Sequence, residues 1–238
     1  VTELVAEAAR RLQAAPDAES TMRTAVELAQ RDIEGVDAAA LSVIRARRRI
    51  ETPAATSRAA RSCDELQYDL GEGPCLDAVW EAEVVDVPDL SDEPRWPRWA
   101  PRVVDEAGFR SMTCYRLFLA DQTVGALNLY SRAPDGFSAV ERDHGIAIAA
   151  HIAVAVRDAQ QIDQLQAALD SRTVIGQATG IIMERSDLDA FQAFVVLTNV
   201  ASDLDRKVRS VAEEFVVTRR LPGTPEGVGR PPRAPYDG

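Results

Sequence analysis

At 238 residues with 46% hydrophobic side chains, the chain can bury the cores of one or two domains. No apolar run approaches the roughly 20 residues of a membrane span, and the start V-T-E-L-V-A-E-A-A-R-R-L has no apolar core followed by a small-residue cleavage site, so a cytoplasmic protein is expected. The net charge of -11 lies almost wholly in residues 1–164, which repel nucleic acid, whereas residues 165–220 are close to neutral and permit RNA contact without a basic footprint.

Residues 1–15 are predicted as a helix with Leu4, Val5, Ala8 and Leu12 on one side, broken at Pro16 and Asp17. A second helix is predicted over 20–33, with Met22, Val26 and Ala29 inward and Gly35 as its stop. Residues 38–44 read as a strand and 50–56 as its return. Pro53 offers no N–H to a ladder, which assigns that return to a sheet edge. Between them Arg47, Arg48 and Arg49 form either a solvated hairpin tip or an anion or RNA patch.

In L-Q-Y-D-L-G-E-G-P-C-L-D-A-V-W (66–80), Gly71 and Gly73 bracket a turn and Pro74 opens a helix at its first position. Glycines ahead of a helix can cradle phosphate, but no Lys or Ser/Thr follows at P-loop spacing. A short strand is predicted over 84–87. Pro88, Pro94 and Pro97 then mark a loop carrying Trp96 and Trp99, and a helix over 100–107 is stopped by Gly108. The clearest strand pair is 111–119 and 123–130, joined through Ala120, Asp121 and Gln122. Ser138 and Glu141 form a capping box for a long helix. Along it Ile148, Ile152, Ala155, Ala159 and Ile162 step by four and three, a heptad-like seam that suits a coiled coil and a homodimer.

Three helices are read in 165–220. The first carries Leu165, Leu169, Ile175, Ala178, Ile182 and Met183; the second covers 188–199 with Ser186 or Asp187 as its cap; the third starts near Asp203 or Asp205 and turns Val208, Val211, Ala212 and Phe215 inward. Each is too short to be stable alone in water, so they pack together. Residues 221–238 hold five Pro and four Gly and read as a disordered tail.

Cys63, Cys75 and Cys114 make an odd set with no C-x-x-C pair, which favours small buried side chains over a disulfide framework or a zinc site. His144 and His151 lie seven apart on one helix face; without a partner at ligand spacing, a core or surface role is preferred to haem or metal ligation.

The pattern S-R-x-x-I-x-Q-A-x-G-I-I-M-E-R, with Arg172, Ile175, Gln177, Ala178, Gly180, Met183, Glu184 and Arg185 all fitting, then an A-F and R-K-V-R-x-V-A, resembles the ANTAR domain over 165–220. That family is a three-helix RNA-binding module of antitermination regulators. Thr198, Asn199, Ala201 and Asp205 stand where the family commonly has L-R-R arginines, a Ser and an Asn. Upstream, G-E-G-P-C-L (71–76), D-x-x-x-x-P-R-W (89–96), G-F-R-S (108–111) and V-G-A-L-N-L-Y-S (124–131) resemble the GAF sensors of GAF–ANTAR regulators of actinobacterial type, over 21–157.

The resemblance implies an α+β fold. A GAF-like antiparallel sheet flanked by helices would fill 1–160, an all-α three-helix ANTAR-like domain 161–220, and the tail 221–238. It also implies a signal-responsive regulator that binds hairpins of a leader RNA. Arg172, Arg185, Arg206, Lys207 and Arg209 are the RNA-binding candidates, the last three within one turn at the start of the third helix. Trp96, Trp99, Cys114, Arg116 and Tyr130 are the ligand-binding candidates in the GAF part, against plain core packing. Cys114 and Arg116 share a strand face by the period of two, and a buried guanidinium needs an anionic or carbonyl partner. The ligand class and any cofactor are unknown. The alternatives are an ANTAR-type dimerisation or partner-binding module without RNA binding and, third, a GAF-type methionine sulfoxide reductase. For the last, Cys75 near a helix N-terminus would have a lowered pKa.

Overall fold

The computed structural model describes residues 2–45, 49–120 and 122–223. Arg47 and Arg48 of the basic triplet, Asp121 of the hairpin link and the tail from Thr224 onward lie outside the described residues. The chain divides into two compact units, Val1–Asp163 and Gln164–Gly238. Among the described residues no helix is long and apolar enough to cross a membrane.

The first unit opens with α1 (Thr2–Gln13) and α2 (Ala18–Asp32). Asp17 is extended and its carboxylate accepts from the Ser20 N–H at 2.7 Å, so α2 starts earlier than its apolar spacing suggests. The hairpin β1 (Ala38–Ile44) and β2 (Ile50–Ala55) is followed by α3 (Arg58–Leu70) and α4 (Pro74–Trp80). Then come β3 (Val84–Val87), α5 (Ala100–Arg102) with a π-helical extension over Val103–Ala107, the hairpin β4 (Ser111–Leu119) and β5 (Gln122–Ser131), and α6 (Ala139–Ser186). The predicted strands are all present. Helix α3 is the element that periodicity does not reveal.

The five strands form one antiparallel sheet in the order β2-β1-β5-β4-β3. Both faces are covered, so successive residues alternate between two cores. On one face Leu41, Val43, Tyr115, Leu117, Leu127 and Leu129 pack with Met22, Val26 and Leu28 of α2 and Ile148, Ile152 and Val156 of α6. On the other, Ala38, Ala40, Met112, Cys114, Ala126 and Tyr130 pack with residues of α3, α4 and the loop that carries Trp96 and Trp99. Two positions of the expected seam, Ile148 and Ile152, therefore belong to the chain's own core, while Ile162 is 63% exposed.

Pro53 lies on the edge strand, as its missing N–H requires. Arg61 of α3 reaches over that edge, donating Nη1 to the Thr52 carbonyl and Nη2 to the Pro53 carbonyl at 3.2 Å. Gly71 ends α3 in the left-handed region (φ 68°), and Gly73 has φ 144°, a region other residues rarely enter. A Cβ on Gly73 would overlap the Gln67 side chain, so α3 and α4 approach this closely only over glycine.

In the second unit the later part of α6 is joined by α7 (Ala190–Asp203) and α8 (Val208–Thr218). Ala178, Ile182, Ala193, Leu197, Ala201, Val211, Ala212 and Phe215 form its core. The α7 cap is Asp189, not Ser186 or Asp187. Asp187 takes a left-handed turn (φ 54°), and Asp189 with Gln192 forms a reciprocal capping box. The third helix also starts later than its acids suggest. Asp203 closes α7, Asp205 is left-handed (φ 49°), the Arg206 N–H bonds back to Ala201, and Lys207 is extended, so α8 begins at Val208.

Candidate functional site

Apart from Arg116 on β4, the α3-side face of the sheet is apolar except at one place. Ser42 of β1, Thr52 of β2 and Asn128 of β5 are buried there, and α3 drives Asp64 into their midst with no exposed surface. Asp64 Oδ2 accepts from Thr52 Oγ1 and Asn128 Nδ2, each at 2.9 Å, and from Ser42 Oγ at 3.3 Å. Its Oδ1 accepts from the Tyr130 hydroxyl at 2.5 Å. The Tyr68 hydroxyl lies 2.7 Å from both Ser42 Oγ and Thr52 Oγ1. Cys75 donates its thiol to Ser42 at 3.2 Å and its N–H to Gln67 Oε1 at 2.7 Å.

Among the described residues Asp64 has no ion-pair partner within salt-bridge distance. Burial pushes its carboxyl up to about 6, although all four hydrogen bonds pull it down. Burial also pushes the Cys63 and Cys75 thiols up to about 12 and Cys114 well above its ordinary value. The expectation of a lowered Cys75 pKa is thus reversed, because desolvation outweighs the terminus of a helix only seven residues long. None of the three is poised as a thiolate nucleophile.

The loop over this face is tied down by acids. Glu72 accepts from the backbone N–H groups of Arg98 and Trp99 at 2.6 and 3.0 Å. Trp96 donates its indole N–H to Asp77 at 3.2 Å and lies edge-on to Trp99, whose own indole N–H reaches the Cys63 carbonyl at 2.9 Å. Trp96, Trp99, Cys114 and Tyr130 are therefore brought into one packed core. Arg116 shares the Cys114 strand face but is only half-buried; its guanidinium is 3.5 Å from Glu83 and stacks over Phe118. Sequence reasoning named Tyr130 but missed Asp64 and its partners Ser42, Thr52 and Asn128. The available signal was Asn128 within the apolar run 124–130 of β5.

In the helical unit, Arg172 and Lys207 are exposed and, among the described residues, form no ion pair. Arg206 pairs with Glu214 and Arg209 with Glu213, each at 2.7 Å. Arg185 donates to the Arg219 carbonyl at 2.6 Å and lies over the Phe215 ring, so it clasps the end of α8. Arg206 and Lys207 directly precede α8 and Arg209 lies in its first turn; the α8 N-terminus has no side-chain cap. Gln177, Gly180, Glu184, Arg185, Val216 and Arg219 line an open groove of about 700 Å³.

The family model of the GAF domain matches residues 15–157, and that of the ANTAR domain matches 163–216. Among solved structures, the GAF domain of a phosphoenolpyruvate-protein phosphotransferase from Coxiella burnetii is 15% identical with a TM-score of 0.55, covering 68% of this chain and 96% of that one. A type II free methionine-R-sulfoxide reductase from Thermoplasma acidophilum is 19% identical with a TM-score of 0.50, covering 60% and 94%. The photosensory core module of a Stigmatella aurantiaca phytochrome is 12% identical with a TM-score of 0.56, covering 86% and 44%. At these identities the likeness is one of fold. No curated protein matches the chain.

Proposed function

Because the chain belongs to the GAF domain family and carries an ANTAR domain behind that domain, we propose that it is a signal-responsive antitermination regulator whose ANTAR unit binds hairpins of a nascent leader RNA. A GAF domain joined to an ANTAR domain is the architecture of a regulator. In this reading the GAF unit receives a small-molecule signal on the face closed by Trp96 and Trp99, and the chain works as a homodimer. The ANTAR unit holds paired stem-loops and so keeps a terminator from forming.

The observation that carries the RNA reading is the cation cluster at the uncapped start of α8. Free N–H groups and a positive helix end attract phosphate, and Arg206, Lys207 and Arg209 lie beside them in sequence. The exposed pairs Arg206–Glu214 and Arg209–Glu213 are worth little in water and can yield to phosphate. Loop bases are then read by groups beside that anchor. Tandem hairpin RNA should be retained at low salt. Lys207→Ala should weaken binding to all loop sequences alike and lower the log–log salt slope by about 0.7–0.9 for each phosphate that is no longer neutralised.

A second reading keeps the three-helix fold but replaces RNA with a protein partner. It is favoured by the same two ion pairs, which neutralise two of the three cations, and by Ala201, which is buried in the core rather than offered to a ligand. Absence of hairpin binding at low salt, or an unchanged salt slope in Lys207→Ala and Arg206→Ala, would replace the first reading with the second.

A further inference from the structure

We propose that Asp64 and Asn128 form a proton-driven two-position switch that fastens α3 to the sheet. The inference concerns the GAF unit alone and stands whether or not the ANTAR unit binds RNA. Asp64 ties the helix to the sheet through a single carboxylate, which gathers groups from β1, β2 and β5 onto α3. Its charge is met by neutral donors and by no cation among the described residues. Such a charge is held at a cost that protonation removes.

Protonation changes what the cluster must supply. The ionised carboxylate accepts from four donors, but a protonated one carries an O–H that needs an acceptor. Asn128 holds the spare acceptor. Its Nδ2 serves both Asp64 Oδ2 and Ser42 Oγ, while its buried Oδ1 has no partner among the described residues. A half-turn of the Asn128 amide presents Oδ1 to the new O–H, withdraws Nδ2 from Ser42 Oγ and leaves it where Oδ1 has no partner among the described residues. The ionised and protonated clusters thus differ by one amide orientation as well as one proton.

A route for the proton is present. Thr52 and Tyr68 line an open groove of about 750 Å³ beside β2 and α3, with Glu65 and Asp69 on its wall. On the inner side, the Tyr68 hydroxyl touches Ser42 Oγ and Thr52 Oγ1, and both touch Asp64 Oδ2. Each hydroxyl passes one proton on and receives one, so the net change is one proton from water to Asp64, whose charge goes from -1 to zero.

The other titratable groups facing the cluster are Cys63 and Tyr68 on α3, Cys75 on α4, Cys114 on β4 and Tyr130 on β5. Burial pushes every one of them upward, so all stay neutral. Among the described residues the strands β1 and β2 contribute Ser42 and Thr52, and the Thr52 carbonyl accepts from Arg61 of α3. Asp64 is therefore the member of the cluster that changes charge between pH 5 and 7. Its carboxyl, moved from 3.8 to about 6, holds a proton about a hundredfold more tightly than an ordinary Asp.

Because the folded pKa is raised, the stability linked to this group is fully present below about pH 4 and is lost as pH rises through about 6. Asp17, Asp89 and Glu93, which hydrogen bonds hold low, have the opposite sign, their stability being lost as pH falls.

The test uses the full chain labelled with ¹³C and ¹⁵N, with side-chain resonances assigned in the wild type so that no variant needs to fold. One Asp carboxyl carbon should titrate with a midpoint near 6, and the Asn128 side-chain amide should shift with the same midpoint. In parallel, the melting temperature of wild type relative to Asp64→Asn should fall from pH 5 to pH 7. If Asp64 titrates below pH 5, or if the Asn128 amide does not respond while Asp64 titrates, the switch is overturned.

Discussion

A buried carboxylate with four donors and, among the described residues, no cation beside it sets two large effects against each other, and the raised Asp64 pKa says that desolvation wins. The same balance decides Cys75, where a helix terminus would lower the pKa and burial raises it instead. Gly73 shows the steric counterpart of this crowding. Its φ of 144° and the Gln67 side chain against its missing Cβ leave no room for alanine. Gly73→Ala should destabilise the fold by about 1–3 kcal/mol, read as a lower urea midpoint at unchanged m. Gly71→Ala, whose Cβ would meet open space, should cost less because only its φ of 68° is strained.

Among the elements, β3, β4 and β5 were legible because their apolar runs are bounded by Pro, Gly and a short link. Helix α3 was not, because its inward residues are Ala60, Cys63, Asp64 and Gln67, and half of that stripe is polar. The site hidden with it could not be assembled from sequence. The partners of Asp64 lie 12, 22, 64 and 66 residues away and meet only through sheet register. Trp96, Trp99 and Tyr130 were legible as a cluster because large aromatics in a covering loop and a core strand have few other places to go. Along α6, burial of Ile148 and Ile152 moves the outward apolar stripe to Ile162, Leu165 and Leu169, which are 63%, 59% and 58% exposed and step by three and four. If these pair with a second copy, light scattering should give about twice 25.9 kDa, and Leu165→Glu with Leu169→Glu should give a monomer. A monomeric wild type at micromolar concentration would remove the homodimer from the functional reading.

At the scale of the molecule, charge is divided as the chain is. Residues 1–164 carry nearly all of the net negative charge, and residues 165–220 are close to neutral. An open sheet in such a protein has another neighbour to contend with, namely other copies of itself. Edge strand β2 has no N–H at Pro53, and Arg61 occupies the Thr52 and Pro53 carbonyls, so a foreign strand finds neither donor nor acceptor in register there. Arg61→Leu should leave the melting temperature within a few degrees of wild type, yet let turbidity grow slowly in concentrated samples. The guanidinium of Arg61 then sets colloidal lifetime, a property that equilibrium unfolding would never report.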